Sequence, residues 1–184
     1  DRLYVLDQQV EAFRQELLKD PEILDAAVSS AVPGGLIGDN AFLPEGASSN
    51  ETHAINNIWA DWYFQEAYEL EMLEGRWFDM ENPTDSMALI ISESAAEALG
   101  FEDPLSHRLY TQFGDETQTP RRIIGVVKDF HFQSLHQEVR PLIIQFNENN
   151  QYQLSVRISE PETAKTLEYI EKTWFSFKEQ QPIH

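Results

Sequence analysis

The chain lacks cysteine entirely. That excludes disulfides, thiolate metal sites and a cysteine nucleophile. It is also poor in positive charge, with 13 Lys and Arg against 32 Asp and Glu, a formal net charge of -19. Binding to nucleic acid needs a basic face, and an anionic membrane surface repels a chain of this sign. The acids are scattered rather than gathered in a block, so they read as a solvated surface that resists association. No run of 18 or more apolar residues occurs, so nothing in the 184 residues reads as a membrane-spanning helix. There is no initiator Met and no signal peptide, and Asp1 opens almost directly into a helical pattern. We expect a segment cut from something longer. Sequence fingerprints are missing too: no GK[ST] phosphate loop, no GxGxxG, no HExxH and no GxSxG elbow. The Gly-rich stretch "PGGLIG", 33–38, lacks the spacing of either nucleotide loop and reads as surface.

Aromatics are present in number, with 11 Phe, 6 Tyr and 4 Trp, and argue for a packed core. Leu3, Leu6, Val10, Phe13 and Leu17 recur at three- and four-residue steps, the stripe of an amphipathic helix that Asp20-Pro21 ends. A strand follows over 23–32, and the Gly-, Ser- and Pro-rich segment 34–50 reads as a loop. "THAINNIWA" is a second strand, with Asp61 capping a short helix over "WYFQEAYEL" and a turn at Gly75. "SMALIIS", 86–92, is a continuous apolar run, hence a buried strand. Ser94 and Glu97 have the spacing of a capping box for a helix that Gly100 closes. Residues 107–113 and 121–130 form a hairpin, and 141–146 is a further strand. In "YQLSVRIS", Leu154, Val156 and Ile158 alternate with polar neighbours. Ser159 and Glu162 form a second capping box, before a helix lined by Ala164, Leu167, Ile170, Trp174 and Phe177. About seven strands and four helices without βαβ alternation predict an α+β fold, with mixed sheet or sheets and flanking helices. The two ends, each a helix and a strand in opposite order, are expected to pack together, with the middle as an insertion.

Chemistry has one candidate. Asp129, His131 and His136 lie within eight positions of each other, and a metal-dependent hydrolase would use them as ligands. The competing reading is packing. On a strand Phe130 and Phe132 share one face, Asp129 and His131 the other. We take the second reading, and expect no catalytic, cofactor-binding or metal-binding residue. A free-standing ligand-binding module is a third possibility.

Four stretches, in order, carry a resemblance: "WADWYFQEAYELEMLEGR", "LEGRWFDMENPTDSMALIISESAAEALGFEDPLSHRLY", "IIGVVKDFHFQSLHQEVRPLII" and "LSVRISEPETAKTLEYIEKTWFSF". Together they resemble the extracytoplasmic core domain of MacB/FtsX-type ABC transporter permeases. Ser106 departs from the glycine usual there. The resemblance implies a porter-like subdomain from residues 1–74 with 150–184, and a smaller β-rich subdomain inserted over 75–149. It implies a non-catalytic domain on the periplasmic side of a bacterial inner membrane, without cofactor. Implied partners are its own transmembrane helices, an ABC ATPase that hydrolyses ATP elsewhere, a second permease copy, and a periplasmic adaptor or envelope protein.

Overall fold

The computed structural model describes residues 6, 9–111, 120–130, 139–146, 153–159 and 163–177. It is an α+β fold around one mixed sheet of nine strands. The strands are β1 (Ile23–Ser29), β2 (Gly38–Pro44), β3 (His53–Ala60), β4 (Met72–Gly75), β5 (Ala88–Ser92), β6 (Arg108–Thr111), β7 (Arg121–Val127), β8 (Leu142–Phe146) and β9 (Gln153–Ile158). The helices are α1 (Val10–Leu17), α2 (Phe64–Ala67), α3 (Glu93–Leu99) and α4 (Thr163–Phe177). Among the described residues no helix is long and apolar enough to cross a membrane.

The strand order is β2-β6-β7-β5-β8-β3-β1-β9, with β4 also on β7 and β2 also on β3. Pairing therefore returns on itself through β3, β8, β5, β7, β6 and β2. Alternation along the buried strands separates two cores. Leu89, Ile91 and Ile143 join Phe42, Ile55 and Leu109 beneath α3. Ile90 and Ile144 join Ile58, Phe64, Trp77 and Phe146 on the other side. A third cluster lies at the chain ends, where Leu6, Val10, Phe13 and Leu17 meet Ile23, Val28 and Trp174.

Three local expectations are corrected. The segment 34–50 is not all loop, because β2 runs through it. Its Phe42 is fully buried and pairs with His53 on one side and Thr111 on the other. One large side chain and two neighbouring strands outweigh the turn-forming Gly, Asp and Asn around it. The cap of α3 is Ser92, whose hydroxyl accepts from the Ala95 N–H, rather than Ser94. The buried face of α4 is turned from the expected one: Leu167 is 56% exposed, while Thr166 and Thr173 are buried beside Trp174. Thr side chains fit the interior when their hydroxyls find partners, so apolar spacing alone misplaces the edge of such a stripe. Gly100 does close α3 in the left-handed region, at φ 69°. Glu162 of the second capping box lies outside the described residues.

Candidate functional site: the joint between the chain ends

The two ends meet through β1 and β9, which pair antiparallel from Ile23–Ile158 to Ser29–Gln153. Helices α1 and α4 pack on each other as well. Phe13 meets Trp174 edge-on at 5.6 Å between ring centroids, and Phe177 at 5.4 Å. Each such pair adds about 0.5–1.5 kcal/mol beyond the area it buries. Three residues along α1 and about two turns back along α4, the Tyr169 hydroxyl donates to the Glu16 carbonyl at 2.8 Å. The helices are thus antiparallel, and the start of α1 lies beside the end of α4.

Within the apolar stripe of α1 sits Arg14, only 6% exposed. The spacing 10, 13, 14, 17 forces it inward, and the sheet supplies what a buried cation needs. Its Nε donates to the Ala26 carbonyl at 2.7 Å. Nη2 lies 3.5 Å from Asp25 Oδ1, itself buried. Nη1 lies 3.6 Å from Glu11. The guanidinium carbon stands 3.2 Å from the centroid of the Tyr63 ring, a cation–π contact. One side chain therefore ties α1 to β1 and to the turn before α2.

Asp61 completes the joint. Its Oδ2 accepts from the Val28 N–H at 2.8 Å and its Oδ1 from the Tyr63 N–H at 3.1 Å. Burial pushes this carboxyl up to about 7. The two N–H donors and Arg14 pull the other way, and the Asp25 charge adds to the rise. An acid whose proton is held more tightly in the folded chain binds extra protons there, so stability falls as pH rises from about 4 to about 7. Above that window the contribution is flat. Asp61→Asn should abolish this slope in urea unfolding curves recorded across the window. An unchanged slope would place its origin elsewhere.

Further contacts seal the joint. The Tyr68 hydroxyl shares a 2.5 Å hydrogen bond with Ser155 on β9. Arg157 pairs with Glu69, and Ser159 bonds both the backbone and the carboxylate of Glu22. All of these groups are engaged with one another; the cluster is built to hold elements in place.

Of the sequence's one chemical candidate, Asp129 is described and is occupied. Its Oδ1 accepts from the Ser94 N–H at 3.0 Å and the Ser94 hydroxyl at 2.8 Å, at the start of α3. His131 and His136 lie outside the described residues. Among the described residues no three His, Asp or Glu side chains group as metal ligands. Nothing here supports the hydrolase alternative. The Arg14 joint went unread in the sequence, although two signals were there: a cation inside an apolar helical stripe, and Asp25 inside the apolar run "ILDAAV".

No protein-family model matches the chain, and no curated protein matches it. Solved structures do. A domain of a protein described as a permease from Porphyromonas gingivalis aligns at TM-score 0.62 and 17% identity, over 89% of this chain and 74% of that one. The periplasmic region of MacB from Actinobacillus actinomycetemcomitans aligns at 0.56 and 15%, over 90% and 72%. The extracellular domain of YknZ, a noncanonic ABC-type transporter from Gram-positive bacteria, aligns at 0.63 and 20%, over 94% and 85%. The chain shares the fold of these three domains.

Proposed function

We propose that this chain is a non-catalytic extracytoplasmic domain of an ABC transporter permease of the MacB/FtsX type. ATP is hydrolysed by a separate ABC subunit or domain, and the motion reaches this domain through its two ends. The transporter holds a second permease copy and works with a periplasmic adaptor or envelope protein, from a position in the bacterial inner membrane. The observation that carries this reading is the antiparallel α1/α4 pair, with Phe13 wedged against Trp174 and Phe177. Such a pair presents the start of one helix and the end of the other at one pole, where two membrane spans would join it. The Arg14 joint then passes a tilt of that pair to the sheet as a rigid-body shift.

The division into 1–74 with 150–184 and an inserted 75–149 belongs to this proposal. The separate apolar cluster at the chain ends favours it. The boundary would fall at the end of β4, and the β3–β8 and β2–β6 pairings would cross it.

Leu36 is 99% exposed and these 184 residues hold no cysteine, so Leu36→Cys adds one reporter thiol, read against the unsubstituted permease. In cells with a permeabilised outer membrane, a membrane-impermeant maleimide is expected to label it. Labelling only after the inner membrane is broken would overturn the localisation. For transmission, cysteines at Glu16 and Tyr169 bridged by a short bis-maleimide should leave ATP-driven transport by the full permease intact. Transport lost on bridging, with ATP hydrolysis retained, would mean that the helices slide past one another and would refute the rigid unit.

A further inference from the structure

The chain has few cations, yet three of its arginines face one groove of about 490 Å³. The groove lies where β7 changes neighbours, from β6 to β4. Arg122 of β7 is the direct cross-strand partner of Arg108 of β6, so the two side chains share a face of the sheet. Arg76 follows β4, its N–H donating to the Ile124 carbonyl at 3.0 Å. Like charges placed directly opposite on neighbouring strands destabilise the pairing.

The three guanidiniums differ in what already satisfies them. Arg76 is held by Asp85 through two bonds of 2.5 and 2.8 Å, and Asp85 is 1% exposed. Arg108 has Glu45 at 4.0 Å, with both side chains about half exposed, which is a weak pair. Arg122 has no acidic partner among the described residues and is exposed. Asp79 adds its charge to that of Asp85 on Arg76, so among the described residues the guanidinium left without an acidic partner is that of Arg122, with the weakly paired Arg108 beside it. Beside them the wall is apolar: Met87, 42% exposed, with Leu105 and Ile124.

We propose that this groove binds an acidic peptide segment of a partner protein, seating one carboxylate on Arg122 and Arg108 and an apolar side chain against Met87 and Leu105. A planar carboxylate matches the guanidinium fork. A phosphate dianion would bring two charges to the one guanidinium that lacks an acidic partner among the described residues. The groove is open to solvent and so admits a segment of chain. The field of a protein at -19 repels anions at long range, so an acidic peptide that binds is held by local chemistry.

The test is an NMR titration of the chain with acetyl-Leu-Glu-Leu-amide, with the Gln counterpart and inorganic phosphate as further arms. The Glu peptide should shift the amide resonances of Arg108, Arg122 and Ile124. Arg122→Gln should weaken binding roughly tenfold or more, the usual loss for a hydrogen bond to a charged group. Arg122→Lys, which keeps the charge without the fork, should fall between. Lys172→Gln, on the exposed face of α4, should change nothing. Arg122 is exposed and stands opposite a like charge, so Arg122→Gln is expected to unfold at the same urea concentration as the parent or slightly above it, and Arg122→Lys at the same one. Four results would each overturn the proposal: no binding, equal binding of the Gln peptide, tighter binding of phosphate, or an equal loss in Lys172→Gln.

Discussion

Arg14→Met should cost about 3–5 kcal/mol in urea unfolding, the range for a buried ion pair that loses one partner. Methionine fills much of the arginine's volume, so the loss is electrostatic rather than a cavity. Asp25 is left buried without its cation, the Ala26 carbonyl loses a 2.7 Å donor and Tyr63 loses its cation. Arg14 also pulls the Asp61 carboxyl down, so its removal should extend the pH window of falling stability upward. Arg14→Lys retains the charge but lacks a fork able to reach both Ala26 and Asp25, and should lose a part of the same energy. Adding Asp25→Leu to Arg14→Met should recover much of it, since a buried pair exchanged for apolar groups is often neutral. A cost below about 1 kcal/mol for the single substitution, the scale of an exposed pair, would mean that α1 is held by its apolar stripe alone. The Arg14 joint would then be no route for motion.

How much of this was legible in the sequence varies with how local the cause is. The apolar runs of β5 and β8 and the Gly100 stop of α3 are local, and they stand where the spacing put them. β9 is a strand as expected, but all six of its residues are half-buried, so its alternation does not mark a buried face. The meeting of the two ends was also legible, because two amphipathic helices each need a covered face. Phe42 was not, since its strand exists through partners that begin at His53 and at Arg108. Asp129 is another such case: the sequence favoured a packing role over a ligand for this stretch, but the partner that commits the carboxylate to α3, Ser94, lies 35 residues away and could not be named. The three arginines of the groove come from the residue after β4, from β6 and from β7, and only the strand register brings them together. Arg14 differs from these. Its place inside the stripe was visible, and the rule that a buried charge demands a partner would have pointed to Asp25.

Gly75→Ala should be as costly as the loss of Arg14, and for a backbone reason. Gly75 of β4 and Gly125 of β7 are cross-strand partners, a glycine facing a glycine. A Cβ on Gly75 would stand 2.2 Å from the Ile124 carbonyl oxygen, and one on Gly125 would stand 2.4 Å from that of Arg76. These are backbone atoms fixed by the ladder, so no side chain can turn away to make room. Gly75 also has φ +69°, which a side-chain-bearing residue adopts only under strain. Strain of about 1–3 kcal/mol and overpacking of similar size together predict about 2–6 kcal/mol. Gly100 supplies the control. Its φ is also +69°, but a Cβ there meets nothing within 4 Å. Gly100→Ala should therefore show the conformational cost alone, about 1–2 kcal/mol. Equal urea midpoints for the two variants would show that the close approach of β4 to β7 carries no cost. If Gly75→Ala is the worse, β4 is forced off β7, and Arg76, bonded to Ile124 one residue further along, moves with it. The same variant should then weaken the acidic peptide as well, because Arg76 and Ile124, which both line the groove, are displaced together.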